Sequence, residues 1–433
     1  MTPNPLIVKS VEQLDYRVTV GDVASKAGLE INTAQQGLLA LAADAGGHLQ
    51  VAETGDIVYS FPNNFRNILR NKYLRLQLKE WWEKIWQVLF YLIRISFGIF
   101  LIASILIMMI AIAIIVIAIS SSRDNNNNDR RSSGGGFFFF PHFWSPDIFW
   151  LFSPNYDRNY YQRQNTPTYQ TENKENEMNF LEAVYSFLFG DGNPNYNLEE
   201  RRWQEIGGVI RTNEGAIVAE QIAPYFDEID PVSQEDEEYI LPVLARFNGY
   251  PEVSPEGELI YYFPDLQVTA AEARKQSLTD YLQEKLWHFS NASSGQIIGA
   301  IALGGANFIL ALVLGNLLRG DIAAEIGGLV AFVDSIYWLL LGYGTAFLSV
   351  PLVRYFFVQW KNERIEKRNY LRKERANRLV KAGKNLLQKL NYARQFATQK
   401  VISDRDITYS TERDLIDQEI EKLKGDRQGD ITT

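Results

Sequence analysis

The sequence predicts a mainly α-helical membrane protein. It carries two winged-helix (α+β) domains, three or four transmembrane segments and a C-terminal helical, coiled-coil-like tail. Three observations lead there. VAETGDIVYSFP (51–62) returns without a gap as VSPEGELIYYFP (253–264), 202 residues later. An uncharged run, Ile95 to Ile119, is long enough to cross a bilayer core. Two further apolar stretches, 297–318 and 326–353, are separated only by a short polar turn, RGDIAAE.

Each copy of the repeat reads as a β-hairpin, with Gly55 and Gly257 placed to take positive φ in the turn. Upstream of the first copy, VTVGDVASKAGLE (18–30) suggests a short helix opened by Thr19 and closed at Gly28. INTAQQGLLALAADAGG (31–47) suggests a second, with Leu38, Leu41, Ala42 and Ala45 on one face. Helix, helix and hairpin is the order of a winged helix, assigned to 1–65. GAIVAEQIAPYF (215–226) and EEYILPVLARFNG (237–249) are expected in the same slots at the same offset, giving a second domain over 195–267.

Between and beyond these domains the chain divides by composition. Residues 66–94 form a basic, aromatic juxtamembrane helix, with Trp81, Trp82 and Trp86 as an interfacial belt before the span at 95–120. A low-complexity linker (121–136) leads to FFFFPHFWSPDIFWLF (137–152), expected to be embedded in or to lie along the membrane. A polar linker (153–194) follows. Residues 268–294 are expected as an amphipathic helix, 295–358 as a two-helix transmembrane hairpin and 359–433 as a charged helical tail. In the tail, Leu386, Leu390, Ala393 and Ala397 suggest one apolar face; Leu415, Ile416, Ile420 and Leu423 suggest another, on a helix from about Thr411. An antiparallel coiled hairpin and a solvated tail are both open.

Charge limits the function. Winged helices that read DNA present Lys or Arg to phosphates. Residues 31–46 contain neither, and residues 171–258 hold twenty carboxylates against five basic residues. No nucleic-acid partner is expected. There is no cysteine, and His48, His142 and His288 have no ligand spacing, so no metal or other cofactor is expected. No phosphate-cradling glycine loop or hydrolase motif appears, and no catalytic residue is assigned. Asp334 and Asn307 are the intramembrane polar candidates, for an interhelical hydrogen bond before an ion relay. No N-terminal signal peptide is expected.

The basic flanks place both winged helices and the tail in the cytoplasm: seven Lys/Arg against two acids in 66–94, and thirteen against three in 361–400. Same-side termini need an even number of crossings, so the aromatic segment 137–152 is expected to return the chain.

The order of a winged helix, a span, a Gly/Asn spacer running into FFFFPHFWSPDIFWLF, a second winged helix with VAEQIAPYF and a two-span hairpin resembles an integral membrane family of cyanobacteria and plant chloroplasts. The resemblance implies a plasma or thylakoid membrane. Plant relatives sometimes carry an iron–sulfur cluster biosynthesis label; the absence of cysteine argues against a direct ligating role here. The function expected is a non-enzymatic scaffold or assembly protein. It would meet membrane lipids and dock membrane or peripheral proteins, or itself, through the exposed faces of 31–46 and 237–249, the wing tips and the tail. The alternatives are a membrane-tethered transcriptional regulator, which needs basic recognition helices, and an accessory subunit of a transporter, which needs polar residues along several spans.

Overall fold

The computed structural model describes residues 3–72, 74–123, 178–227, 229, 236–270 and 278–412. The features at 124–136, 137–152 and 153–177, His142 and the second tail face through Leu415 to Leu423 lie outside the described residues. The chain forms two compact units. One comprises Met1–Trp82, Pro194–Leu286 and Glu363–Thr433; the other comprises Glu83–Asn193 and Trp287–Asn362.

The first unit opens with α1 (Pro5–Gln13), β1 (Arg17–Thr19), α2 (Val20–Ala27), α3 (Ile31–Ala45) and the hairpin β2 (His48–Ala52) and β3 (Ile57–Ser60). Local chemistry sets the boundaries. The Thr19 hydroxyl accepts from the Asp22 N–H while the Asp22 carboxylate accepts from the Thr19 N–H, a reciprocal capping box. Gly28 (φ 66°) and Gly46 (φ 68°) close α2 and α3 in the left-handed region. Helix α3 buries Ile31, Ala34, Leu38, Leu41, Ala42 and Ala45, one face at helical spacing. Then α4 (Phe65–Lys72) precedes α5 (Leu74–Arg123), and α6 (Phe180–Phe189) opens the chain beyond residue 177. The latter corrects the polar linker expected over 153–194. FLEAVYSFLF is apolar, and Asn179 with Glu182 supplies a capping box.

A second set follows: α7 (Leu198–Thr212), β4 (Ala216–Ile217), α8 (Ala219–Ile222), 3₁₀ turns at Ala223–Tyr225 and Glu238–Ile240, α9 (Leu241–Phe247), β5 (Tyr250–Val253) and β6 (Leu259–Tyr262). The strand orders match, β1-β3-β2 and β4-β6-β5, all antiparallel. So do individual bonds. Phe61 N–H donates to Tyr16 O at 2.8 Å and Phe263 N–H to Gly215 O at 2.8 Å; Gly47 N–H donates to Ala42 O and Gly249 N–H to Leu244 O. A Cβ on Gly47 would strike the Phe61 ring, and one on Gly249 the Phe263 ring, at 2.8 and 2.3 Å.

The pairing corrects the expected single offset. The hairpins align at 202 residues, but the left-handed pair Asp15-Tyr16 aligns with Glu214-Gly215, at 199. Extra chain between α8 and α9 absorbs the difference. Pro224 cuts the second repeat's first helix to one turn, and Pro242 starts α9 late.

The repeats share one core. Helix α7 crosses α2 at Gly207, where a Cβ would sit 2.9 Å from Ser25 Cα. After α10 (Pro264–Gln267) comes β7 (Val268–Thr269). The buried Asp22 carboxylate then joins four elements: besides Thr19 it accepts from Thr269 Oγ1 (2.9 Å) and Ala270 N–H (3.0 Å), and it pairs with Arg211 of α7 at 2.6 Å.

Residues 278–293 contain no helix, correcting the amphipathic helix expected over 268–294. Asparagine side chains replace a helical ladder there. Asn195 and Asn369 each bridge the N–H and C=O of one residue, Lys285 and Glu284 respectively, at 2.7–3.0 Å. In the second unit, Asn362 does the same to Trp287.

The second unit is a helical bundle built on α5 with α6, α11 (Ser294–Leu317), α12 (Ile322–Ile326), α13 (Gly328–Ser335) and α14 (Tyr337–Val380). Three helices, over Trp81–Ser121, Ser294–Leu317 and Tyr337–Val380, are long and apolar enough to cross a membrane. Leu101, Ala300 and Phe347 share one layer with α6; Met108, Ala111, Ile115, Ala311, Leu314 and Leu340 form the next. Hence α5 and α11 run parallel, and α14 runs against both. Gly315 lies under Tyr337, and Gly304 under Phe347. The predicted single segment 326–353 is broken twice, at Gly327-Gly328 (φ 67° and 55°) and at the Ile336 turn.

The packing sets the levels of the described chain ends at Arg123 and Met178. Gln296 at the start of α11 donates to Met178 O, so Met178 sits at the end where α11 begins, whereas Arg123 ends α5 at the opposite end. At 1.5 Å per residue the two levels are roughly 45 Å apart, more than the ~30 Å hydrocarbon core.

Finally α15 (Lys384–Phe396), β8 (Lys400–Val401) and β9 (Ile407–Ser410) complete the first unit. Neither tail expectation holds over the described residues. Leu386, Leu390 and Ala393 face Val218 and Ile260 of the second repeat, while β9 adds antiparallel to β2 of the first. Strand β8 pairs in parallel with β7.

Gly55 (φ 85°) and Gly257 (φ 87°) have no heavy atom within 4 Å of a built Cβ. Gly55→Val and Gly257→Val therefore test backbone strain alone. Each should lower stability by roughly 1–3 kcal/mol, read from thermal unfolding; an unchanged melt would show that the turns do not hold these conformations.

Candidate docking faces and charged clamp

Helix α3 lies across the first repeat with its apolar face inward. Its outer face exposes Asn32, Thr33, Gln35, Gln36, Leu39 and Ala43, uncharged throughout. Leu39 is 43% exposed, an apolar centre ringed by amides. The corresponding helix of the second repeat is less available. Arg246 of α9 donates to Gly28 O and stacks 4.0 Å over Trp203, so it is used inside the unit; Leu241 remains exposed. Of the two helix faces singled out in the sequence, the first is the open one. Gly55 and Gly257 sit at the hairpin tips, and Lys400 pairs with Asp56 at 2.8 Å beside the first tip. Asp56 is pushed up by burial, but the Lys400 and Thr54 hydrogen bonds outweigh this and hold its carboxyl below the usual range.

The two intramembrane candidates do not meet. Asn307 is fully buried, and its amide donates to Ser104 of α5; Gly344 of α14 closes on its Oδ1, where a Cβ would be 2.8 Å away. It pins the register of three helices. Asp334 is exposed at the last turn of short α13, three residues before Tyr337, which meets Gly315 near the end of α11. The two levels differ by roughly 12 Å. Asp334 thus sits near an end of the bundle, not deep within a span, because the glycine pair and the Ile336 turn interrupt the helix.

A charged cleft escapes the sequence reading. Its volume is about 540 Å³, and Leu198, Arg202, Phe226, Asp227, Glu284 and Arg368 line it. Beneath it Arg372 is wholly buried. It donates to Leu282 O at 2.9 Å, to Glu284 at 2.8 Å and to Asp227. Arg368 grips Glu284 with two bonds of 2.7 and 2.6 Å, and Arg202 holds both Asp227 oxygens at 2.8 Å. These bonds fasten α14 to the second repeat. A parallel anchor lies on α15, where buried Lys389 meets Glu220 at 3.1 Å and also Glu237. The participants come from distant stretches of chain, so only the basic character of 361–400 hinted at them.

Burial pushes the Asp227 and Glu284 carboxyls up, but their arginine partners outweigh it and hold both below the ordinary range. Burial lowers Lys389, yet Glu220 and Glu237 raise it net. The arrangement can hold the tail and discriminate charge; it contains no nucleophile–base pair.

The fold and these faces define a class first: a mainly helical protein with a compact two-repeat body and three helices able to cross a membrane. An Arabidopsis thaliana protein, "Uncharacterized protein At5g03900, chloroplastic", is 39% identical over 432 residues, covering 97% of this chain and 80% of its own length. The chain belongs to the family of that chloroplast protein. No family model matches the chain, and no solved structure matches it.

Because the carboxylates of the clamp are depressed on folding, their stabilisation is complete above the ordinary carboxylate range and lost as pH falls through the lowered values. The melting temperature of the protein should therefore hold from pH 7 to about pH 5 and drop below about pH 4. Arg372→Met should remove part of that acid slope and cost about 3–5 kcal/mol at neutral pH, since two carboxylates lose a buried partner. An acid slope identical in the variant would contradict the clamp.

Proposed function

We propose that this protein is a non-enzymatic, multi-pass membrane scaffold that docks protein partners through the outer face of α3 and the neighbouring hairpin tip. The two repeats are winged-helix domains put to protein contact. The observation that carries this reading is the α3 face, with an exposed leucine, amides and no Lys or Arg. A phosphate backbone finds no countercharge on it, whereas an apolar centre inside a polar rim suits a protein interface. The spans, and the chloroplast location in its relative's name, support a thylakoid membrane; the role fits assembly or organisation of a membrane complex.

The second unit supports a reading of sidedness. The chain enters it at Glu83, leaves at Asn193, re-enters at Trp287 and leaves at Asn362. Within that unit Arg94 pairs with Asp191, and Asn362 with Trp287. We infer that both repeats and the tail share the cytoplasmic side.

Crosslinking from a photoreactive residue at Leu39 in native membranes, with Lys9 as control, should trap a defined membrane or peripheral protein from Leu39 only. Purified protein should bind no duplex specifically at physiological salt; nanomolar, sequence-selective binding would favour the tethered regulator and sink this reading.

Because the chain has no cysteine, single cysteines at Asn63, Glu256 and Arg405 should all resist an impermeant thiol reagent in intact cells and all react in sealed right-side-out thylakoids, whose outer face is the cytoplasmic one. A cysteine at Arg319, in the turn after α11, should react in sealed vesicles of the opposite orientation from the other three. Labelling of Glu256→Cys without Asn63→Cys would defeat the shared-side topology.

A further inference from the structure

At the end of the second unit where α5 enters its apolar run, two arginines converge on one turn. Arg94 immediately precedes the uncharged run from Ile95, and Arg354 immediately follows the apolar stretch ending at Val353. Both therefore lie where hydrocarbon gives way to headgroups. Arg94 Nη2 is 3.2 Å from Asp191 Oδ1, with its guanidinium 5.7 Å from the Tyr185 ring centre. Arg354 lies 4.2 Å over the Phe289 ring and donates to Phe289 O. Its Nη1 fills the space beside Gly190, where a Cβ would come within 2.2 Å. Gly190 (φ 80°) thus permits both the turn and the approach of Arg354.

The charges at this turn do not balance. Asp191 is the carboxylate between the two guanidiniums, and its oxygens already accept from Ser186 Oγ (2.6 Å), Asn291 N–H (2.8 Å) and Arg94. Among the described residues one positive charge is left over at this turn. The Nε of Arg94 and that of Arg354 are buried with no hydrogen-bond partner among the described residues. An arginine that merely snorkels extends its head into water. These two are instead held by aromatic rings and a glycine turn, with Arg94 only 23% exposed. Two fixed guanidinium forks suit an oxyanion with several acceptor oxygens. Phe189 and Phe356, both exposed, supply apolar surface for chains attached to it.

We propose that Arg94 and Arg354 form a headgroup site for one anionic membrane lipid, a phosphodiester or sulfonate whose oxygens bridge the two guanidiniums. The site rests on the reading of α5, α11 and α14 as spans.

Native mass spectrometry of the full-length protein in detergent tests this, with titrations of phosphatidylglycerol, phosphatidylcholine and inorganic phosphate. Phosphatidylglycerol should give a one-to-one adduct at least tenfold tighter than phosphatidylcholine. Arg94→Gln with Arg354→Gln should lose that preference, while Lys367→Gln, an exposed cation elsewhere, should keep it. Asp191→Asn, which removes the competing carboxylate, should strengthen retention; a merely structural role predicts the reverse. Equal affinity for the two lipids overturns the proposal, as does undiminished retention in the double variant. Inorganic phosphate that competes away the lipid at equal concentration reassigns the site to a free anion and overturns the lipid claim. If the double variant does not fold, Arg94→Lys decides: loss of the fork with charge kept should weaken retention severalfold, and unchanged retention refutes the bridge. Extraction of the protein from membranes by alkaline carbonate would defeat the spans independently of any lipid result.

Discussion

A β-strand at the edge of a sheet presents N–H and C=O groups that must be paired or disarmed, and this constraint shapes the first unit. In both repeats the edge strand turns the same positions outward. In β2 these include Leu49, Val51 and Glu53; the Leu49 N–H donates to Thr411 Oγ1 and the Glu53 N–H to Asp406 O, so the tail covers the edge. The equivalent positions in β5 are Pro251, Val253 and Pro255. Two of those three donors are gone, because proline has no N–H. One copy is finished by a strand from the far end of the chain, the other by proline. The duplication is thus symmetric in backbone and asymmetric in how its edges are closed.

That asymmetry makes the tail part of the body. From the end of α14 the chain fastens to the second repeat through Arg372, packs α15 on its sheet through Leu386, Leu390 and Ala393, and reaches the first repeat as β9. Asp22 links the same parts from within, meeting α7 through Arg211 and the segment after β7 through Thr269 and Ala270. With these surfaces committed, the outer face of α3 remains a broad, uncharged and exposed helix face among the described residues.

What was legible in the sequence is what short-range chemistry decides. Thr19 with Asp22, Gly28 and the turn glycines 55 and 257 set boundaries within a few residues, so both hairpins and α2 and α3 could be read directly. The long apolar helix was equally plain. What was not legible depends on partners far away. Residues 278–293 have apolar spacing suited to a helix, but side-chain amides from Asn195, Asn369 and Asn362 take over backbone bonds that a helix would make internally. Strand β9 is four residues whose pairing is dictated by an edge some 360 residues earlier. Asp334 looked deep in a span because its neighbours are apolar; the Gly327-Gly328 break, which returns the chain near the bundle end, can be recognised only with the packing in view. The charged clamp combines α7, the chain after α8, the strap at 282–284 and α14, and no local pattern announces it.

The central claim is that the tail completes the first repeat's sheet. Backbone hydrogen exchange of the full-length protein, compared with a chain ending at Ser403, measures it most directly. The account predicts that loss of β9 sharply accelerates exchange at Leu49, Val51 and Glu53, while the inward amides of Gln50 and Ala52 stay protected by β3. Equal protection of Leu49 and Glu53 in both proteins would contradict it.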